Sequence, residues 1–252
     1  TKEIRELIKK FSLNHKTKIK QKEVKTGNEI IADSLVLSGI QGFFAYPMTP
    51  STGILHSLAE LSQSSNIKVV QPENEIAVIN FALGYAYAGK PVAVATSGGG
   101  FALMQEAFSL SGEAEIPLLV IEAQRAAPST GVPTYTGQAD LNFTRHAGHG
   151  DFPRLVLAPG TAEQITELIP LGLQAAWCYA MPVILLSDKH LSESYFSFSP
   201  HLFKKIRPLN LKKFKHASLR YEFTPTGISG LVFPGEKGKV VKANSYAHDQ
   251  AG

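Results

Sequence analysis

"PVAVATSGGGFALMQEAFSLSGEAEIPLLVIEA", residues 91–123, decides the fold of this 252-residue chain. Residues 91–96 are an apolar run with no polar alternation, which suits a strand buried on both faces. Ser97 and three glycines follow, and then "FALMQEAFSLSG" (101–112) reads as a helix. "PLLVIEA" (117–123) is a second continuous apolar strand. Two such strands joined through a helix form a βαβ unit, which requires a parallel sheet covered on both sides.

The same alternation extends outward in both directions. Upstream, 27–38 place Ile30, Ile31, Leu35 and Val36 on helical spacing, and "GFFAY" (42–46) is a short strand. An amphipathic helix follows over 53–65, with Ile54, Leu55, Leu58 and Leu61 on one face. A strand over 67–71 and an almost wholly apolar helix over 74–89 complete that side. Downstream, some 30 residues rich in Thr, Gly, Pro and His lack periodicity. Strand 154–158, helix 161–180 and strand "PVILLSD" (182–188) then close the core. The fold class is α/β, a three-layer sandwich with a mostly parallel central sheet.

Ligands of such sheets bind beyond the carboxyl ends of the strands. Three unusual segments fall there: "YPMTPSTG" (46–53), "TSGGG" (96–100) and "QRAAPSTGVPTYTGQAD" (124–140). In the first, two prolines fix the backbone around Thr49 and withhold donors, so the segment is neither helix interior nor central strand. In the second, the glycines suit a tight strand-to-helix turn or an anion cradle; no dinucleotide fingerprint or Walker lysine accompanies them. In the third, Arg125 leaves a buried strand directly, where it could grip a carboxylate through two parallel hydrogen bonds or tie down its own loop. Glu75 stands near the start of the apolar helix, a place favoured for any carboxylate by the helix dipole. His146, His149 and Asp151 lie in the aperiodic stretch without a third ligand in view, and no metal site is read there.

Composition excludes several function classes. Hydrophobic residues make up 44% and charged residues 18%, as in ordinary globular proteins. No apolar run approaches the length of a membrane span, and no secretion signal is evident, so a cytoplasmic location is expected. The single cysteine, Cys178, cannot form an internal disulfide or hold an iron–sulfur cluster. The net charge of +4 comes from basic runs in residues 1–25 and 204–216, which lack the aromatic interleaving of a nucleic-acid surface and read as solvated linkers. Residues 1–25 are expected to be the tail of a preceding domain and 26–195 the central domain. Residues 196–252 are expected to be an extended basic segment leading to a further, truncated domain. The chain is thus expected to be a piece of a longer polypeptide.

Taken together, the quoted segments resemble the α subunit of the 2-oxoacid:ferredoxin oxidoreductases, in its pyrimidine-binding thiamine diphosphate domain. "AYPMTPST" is similar to the family's Tyr-Pro-Ile-Thr-Pro-Ser motif, with Met48 as a conservative change. "ATSGGGFALMQEAFSLSGEAEIPLLVIEAQR" and "PSTGVPTYTGQADL" resemble the family's next two blocks. The resemblance covers roughly 26–195 and resumes at "RYEFTPTGISG" and "GEKGKVVKANSYAHD". Departures are Gly99 for the family's proline, Ala126 and Ala127 for two glycines, and Gly137 for an acidic residue.

The resemblance implies roles position by position. Glu75 would hydrogen-bond the aminopyrimidine ring and favour its imino tautomer, whose nitrogen can take the thiazolium proton. Tyr46, Pro47, Gly98, Gly99 and Gly100 would line the cofactor, the glycines allowing close backbone approach. Thr49, Arg125 and Thr134 would contact the 2-oxoacid, with Glu75, Thr49 and Arg125 the catalytic set. The chain lacks the Gly-Asp-Gly…Asn segment that carries magnesium in thiamine enzymes, so the resemblance implies a β subunit holding Mg²⁺ and the diphosphate. Iron–sulfur clusters would also lie on partner chains. The implied reaction is oxidative decarboxylation of a 2-oxoacid to acyl-coenzyme A, with electrons passed to ferredoxin. The loop "PSTGVPTYTG" is closer to the 2-oxoglutarate and general 2-oxoacid branch. A transketolase-like or acetolactate-like enzyme, or a non-catalytic subunit keeping the fold, are the alternatives.

Overall fold

The computed structural model describes residues 22–214, 219–239, 241–250 and 252. The basic stretch over 1–21 and residues 215–218 lie outside the described residues. Eight strands and eight α-helices follow one another in these segments. They are β1 (Glu23–Thr26), α1 (Gly27–Leu37), β2 (Gly42–Ala45), α2 (Thr52–Leu61), β3 (Lys68–Val70) and α3 (Glu75–Tyr87). Next come β4 (Val92–Thr96), α4 (Gly98–Leu103), α5 (Gln105–Glu113), β5 (Leu118–Gln124) and α6 (Leu141–Arg145). The series ends with β6 (Leu155–Leu157), α7 (Ala162–Tyr179), β7 (Pro182–Asp188), α8 (Lys189–Glu193) and β8 (Tyr195–Phe198).

Six strands form one sheet in the order β3-β2-β4-β5-β7-β6, and every pair in it is parallel. Right-handed crossovers then put α2 and α7 on one face, and α3, α4 and α5 on the other. α1 packs on α2 and α7, which completes the first outer layer. β4 and β5, in the middle, are buried along their whole length, which is why both read as unbroken apolar runs. Trp177, Phe43, Phe101, Phe108 and Phe198 are the largest fully buried side chains around them.

Local chemistry sets the helix starts. Thr26 and Glu29 form a capping box at α1, Asn74 caps α3 through the Ala77 amide, and Thr161 caps α7 through Gln164. The helix expected over 101–112 starts earlier, at Gly98, and breaks at Met104 into α4 and α5. Two short helices, α6 and α8, were not visible as periodic segments, because five residues make barely one turn.

β1 and β8 pair antiparallel, Glu23 opposite Phe198 and Thr26 opposite Tyr195. They bracket the core at the two ends of the expected central domain. The segment after β8 makes two 3₁₀ turns, Pro200–Lys205 and Leu211–Lys213. Further on, Tyr221, Leu231, Val232 and Phe233 are buried, and the Phe233 ring lies 5.9 Å from that of Trp177. Arg220 fastens this stretch by donating to the carbonyls of Ala114, Glu115 and Val232.

Candidate functional site

Because β2, β4 and β5 are parallel neighbours, their carboxyl ends lie side by side, with Ala45 opposite Ala95 and Thr96 opposite Glu122. The loops that start at Tyr46, Ser97 and Arg125 therefore meet on one rim. Sequence order alone could not show this adjacency; strand order supplies it.

The proline-flanked loop is held from three directions. Asn28 at the start of α1 donates from Nδ2 to the Pro50 carbonyl at 2.9 Å. Arg125 donates from Nη1 to the Thr49 carbonyl at 2.9 Å. Thr96 Oγ1 reaches Met48 Sδ at 3.9 Å. Ser51 closes the turn on itself, its hydroxyl donating to the Met48 carbonyl. The Thr49–Pro50 peptide is cis. Thr49 is half-buried within this frame, while Tyr46 and Pro47 stand exposed at its edge. Arg125 is itself buried, and its one hydrogen bond among the described residues goes to the neighbouring loop rather than its own.

Glu75, the first residue of α3, is 4% exposed, and its Oε1 has no hydrogen-bond partner among the described residues. An orphaned carboxylate oxygen in such a place is costly, so a donor from outside this set of residues fits it. Gly100 covers the carboxylate: a methyl group there would lie 2.6 Å from Glu75 Oε1 and 2.1 Å from Thr96 Oγ1. A methyl on Gly99, by contrast, would meet no atom within 4 Å. Gly99 faces a cavity of about 620 Å³ whose walls include Ser97, Gly98, Arg125 and Asp140. An unpartnered carboxylate behind a glycine turn, with open space before it, suits the pyrimidine ring and backbone approach of thiamine diphosphate.

Thr134 lies apart from this group. It is exposed and lines a separate cavity with Tyr135, Thr136, Lys189 and His190. Gly137 sits tightly over the base of its loop, since a methyl there would lie 2.9 Å from the Arg125 carbonyl oxygen. Among the described residues no three His, Cys, Asp or Glu side chains gather to hold a metal, and His146 binds the Asn142 carbonyl instead.

Sequence reading missed two buried carboxyl groups on the same rim. Glu122, in β5, is fully buried, and Asp140, where the long loop returns, is 9% exposed. Burial, followed by the nearby Asp140, pushes the Glu122 carboxyl well above its ordinary value. Burial also raises Asp140, partly offset by the hydrogen bond from Glu122. The signal was present: one acid inside "PLLVIEA" is unusual for a strand buried on both faces.

Residues 34–247 match the family described as pyruvate flavodoxin/ferredoxin oxidoreductase, thiamine diphosphate-binding. The chain is 38% identical over 175 residues to the 2-oxoglutarate synthase subunit KorA of Archaeoglobus fulgidus, covering 68% of this chain and 51% of that one. It is 33% identical over 245 residues to 2-oxoacid:ferredoxin oxidoreductase 1, subunit alpha, of Sulfurisphaera tokodaii, covering 90% of this chain and 39% of that one. Among solved structures it resembles the 2-oxoglutarate:ferredoxin oxidoreductase of Magnetococcus marinus, with 2-oxoglutarate, coenzyme A and succinyl-CoA bound. That match has a TM-score of 0.84 at 36% identity and covers 92% of this chain and 41% of that one. The chain thus spans about half, or less, of the length of these relatives.

Proposed function

The chain belongs to the pyruvate flavodoxin/ferredoxin oxidoreductase family, as its thiamine diphosphate-binding domain, and we propose that it supplies the pyrimidine half of a 2-oxoacid:ferredoxin oxidoreductase site. The proposed reaction is oxidative decarboxylation of a 2-oxoacid to its acyl-coenzyme A, with electrons passed to ferredoxin. 2-Oxoglutarate is the favoured substrate, in line with the names of the A. fulgidus and M. marinus relatives.

The observation that carries this reading is Glu75: a buried carboxylate oxygen without a donor, set behind Gly100 and beside the loops that hold Thr49 and Arg125. Thiamine diphosphate, when bound, supplies the nucleophilic carbon and the electron sink that loss of CO₂ from a 2-oxoacid requires. Glu75 would hold its aminopyrimidine ring by a charge-assisted hydrogen bond, strong because the site is desolvated. Gly98, Gly99 and Gly100 would form the wall the ring lies against, with Tyr46 and Pro47 at the outer edge. Arg125 spends one N–H on the Thr49 carbonyl, and its remaining donors would take the substrate carboxylate. The same bond fixes Thr49, so that its hydroxyl stands near that carboxylate.

In this reading the diphosphate and Mg²⁺ are held by a partner β subunit. Two features support a partner. α3 is apolar on nearly every side, as expected of a helix covered all round, yet Ile76 and Phe81 are more than half exposed. Leu103 on the adjacent α4 is exposed as well. Cys178 is the chain's single cysteine, so iron–sulfur clusters would be carried by other chains.

The test is calorimetry followed by reconstitution. The chain alone should show no saturable thiamine diphosphate binding at concentrations that saturate the assembled complex. With coenzyme A and a dye acceptor, the complex should turn over 2-oxoglutarate best within a panel of 2-oxoacids. Tight, magnesium-dependent binding by the chain alone would refute the split site.

A further inference from the structure

Glu122 and Asp140 have no part in the reading above, yet they close the base of the loop that carries Arg125. That loop leaves β5 after Gln124 and returns at Asp140. Its two ends are already joined once, by the Asp140 amide donating to Gln124 Oε1 at 3.0 Å; Gln124 in turn donates to the Ser187 carbonyl. Two residues back along the strand, on the same buried rim, stands Glu122. Neither of its oxygens receives a hydrogen bond from an ordinary donor among the described residues. The group facing them at hydrogen-bonding range is the Asp140 carboxyl.

Asp140 also presses on the glycine turn, since a methyl group on Gly98 would lie 2.7 Å from its Oδ2. One carboxyl pair therefore touches both the turn proposed to wall the cofactor and the loop proposed to hold the substrate carboxylate. Two carboxylates cannot both be charged in so small a buried space; with one proton between them they form a short, strong hydrogen bond.

We propose that Glu122 and Asp140 share one proton in a hydrogen bond that latches the Arg125 loop against the glycine turn, so that loss of this proton loosens 2-oxoacid binding. The pair is a positioning element; neither group needs to touch the substrate. The proposal rests on the assignment of Arg125 to the substrate carboxylate only for its effect on binding. The latch itself is a statement about this chain.

Other charged groups leave the proton to this pair. β4 and α4 carry no titratable side chain. Glu75, from α3, sits on the far side of the turn, behind Gly100. Arg125 is directed to the Thr49 carbonyl. Asp188, at the end of β7, is occupied by the Leu191 amide and Gln138 Nε2. On α8, Lys189 pairs with Glu193 and His190 is exposed; Glu106 and Glu113 of α5 and Arg145 of α6 are exposed too.

The test uses the full-length protein with the partner chains that purify with it. In Glu122→Gln an amide N–H permanently replaces the shared proton. Infrared difference spectra of wild type against this variant, near neutral pH, should contain the carbonyl stretch of a protonated carboxyl group. Limited proteolysis within 126–139 should accelerate in wild type as pH rises through a single titration and stay flat in Glu122→Gln. Over the same range the KM for 2-oxoacid should rise about tenfold in wild type, the scale of one lost charge-assisted bond, with kcat little changed. Asp140→Ala, which removes the latch, should show the loosened loop and raised KM at every pH.

No protonated-carboxyl band, or equal pH dependence of proteolysis in wild type and Glu122→Gln, would overturn the latch. If band and proteolysis follow expectation while KM does not move with pH, the latch stands and the substrate role of Arg125 fails.

Discussion

Two adjacent glycines should respond to the same substitution with opposite signs. In Gly100→Ala the new methyl falls 2.1 Å from Thr96 Oγ1, 2.6 Å from Glu75 Oε1 and 2.8 Å from Glu75 Cγ. Restoring ordinary contact needs Thr96 to retreat by more than an ångström, yet Thr96 is fully buried and Glu75 nearly so. Overpacking of this kind costs about 1–3 kcal/mol, against a helix-propensity gain of roughly 0.5–1 kcal/mol for replacing glycine. The net loss of about 1–2 kcal/mol lowers Tm by roughly 2–8 °C for a domain of this size. Gly99→Ala meets nothing within 4 Å, so it keeps only the propensity gain and should raise Tm by about 1–4 °C without ligand. Its methyl would, however, project into the cavity where the cofactor is proposed to lie. The assay is thermal melting of both variants with and without thiamine diphosphate, in the assembled protein. Gly99→Ala should melt above wild type when empty and lose part of the cofactor-induced shift. A Gly100→Ala protein at or above the wild-type Tm would refute the packing of Glu75 behind the turn. A stabilised Gly99→Ala protein with undiminished cofactor affinity would refute the backbone-approach role of Gly99.

Glu75→Gln should leave the assembled protein folded and lower turnover by about 10²- to 10⁴-fold, the range of acid–base contributions. Glu73→Gln, at an exposed position two residues earlier, should be silent in the same assay. Arg125→Lys keeps the charge but loses the planar fork, and should raise KM about ten- to a hundredfold; Arg125→Ala should be worse and also free the Thr49 loop, visible as faster proteolysis there. Burial raises Glu122 above its ordinary 4.5, so the folded state holds this proton more tightly than the unfolded chain. That contribution is complete below about 4.5 and is lost as pH rises through the raised value, so urea midpoints should fall across that window in wild type. Glu122→Gln should show no such fall from this group, and equal slopes in the two proteins would count against the raised value.

The sequence by itself determined the α/β class, because strands buried on both faces must be apolar throughout, and 91–96 and 117–123 have no other stable use. It also determined that the chemistry sits after strands, since prolines, glycines and an arginine cluster where the apolar runs stop. The family motifs extended this to named residues, among them Glu75, whose helix-start position alone would have passed as a cap. Tertiary structure decided which of those residues meet. The order β2-β4-β5 brings Thr49 to Arg125 and Glu75 to Gly100 across gaps of 76 and 25 residues, while Thr134, only nine residues from Arg125, ends in a different cavity. Glu122 and Asp140 show the limit most plainly. A charge inside an apolar strand is visible in the sequence, but its cost and its purpose depend on the side chain that folding sets against it. Strand order and the path of the returning loop place that partner, and local periodicity encodes neither.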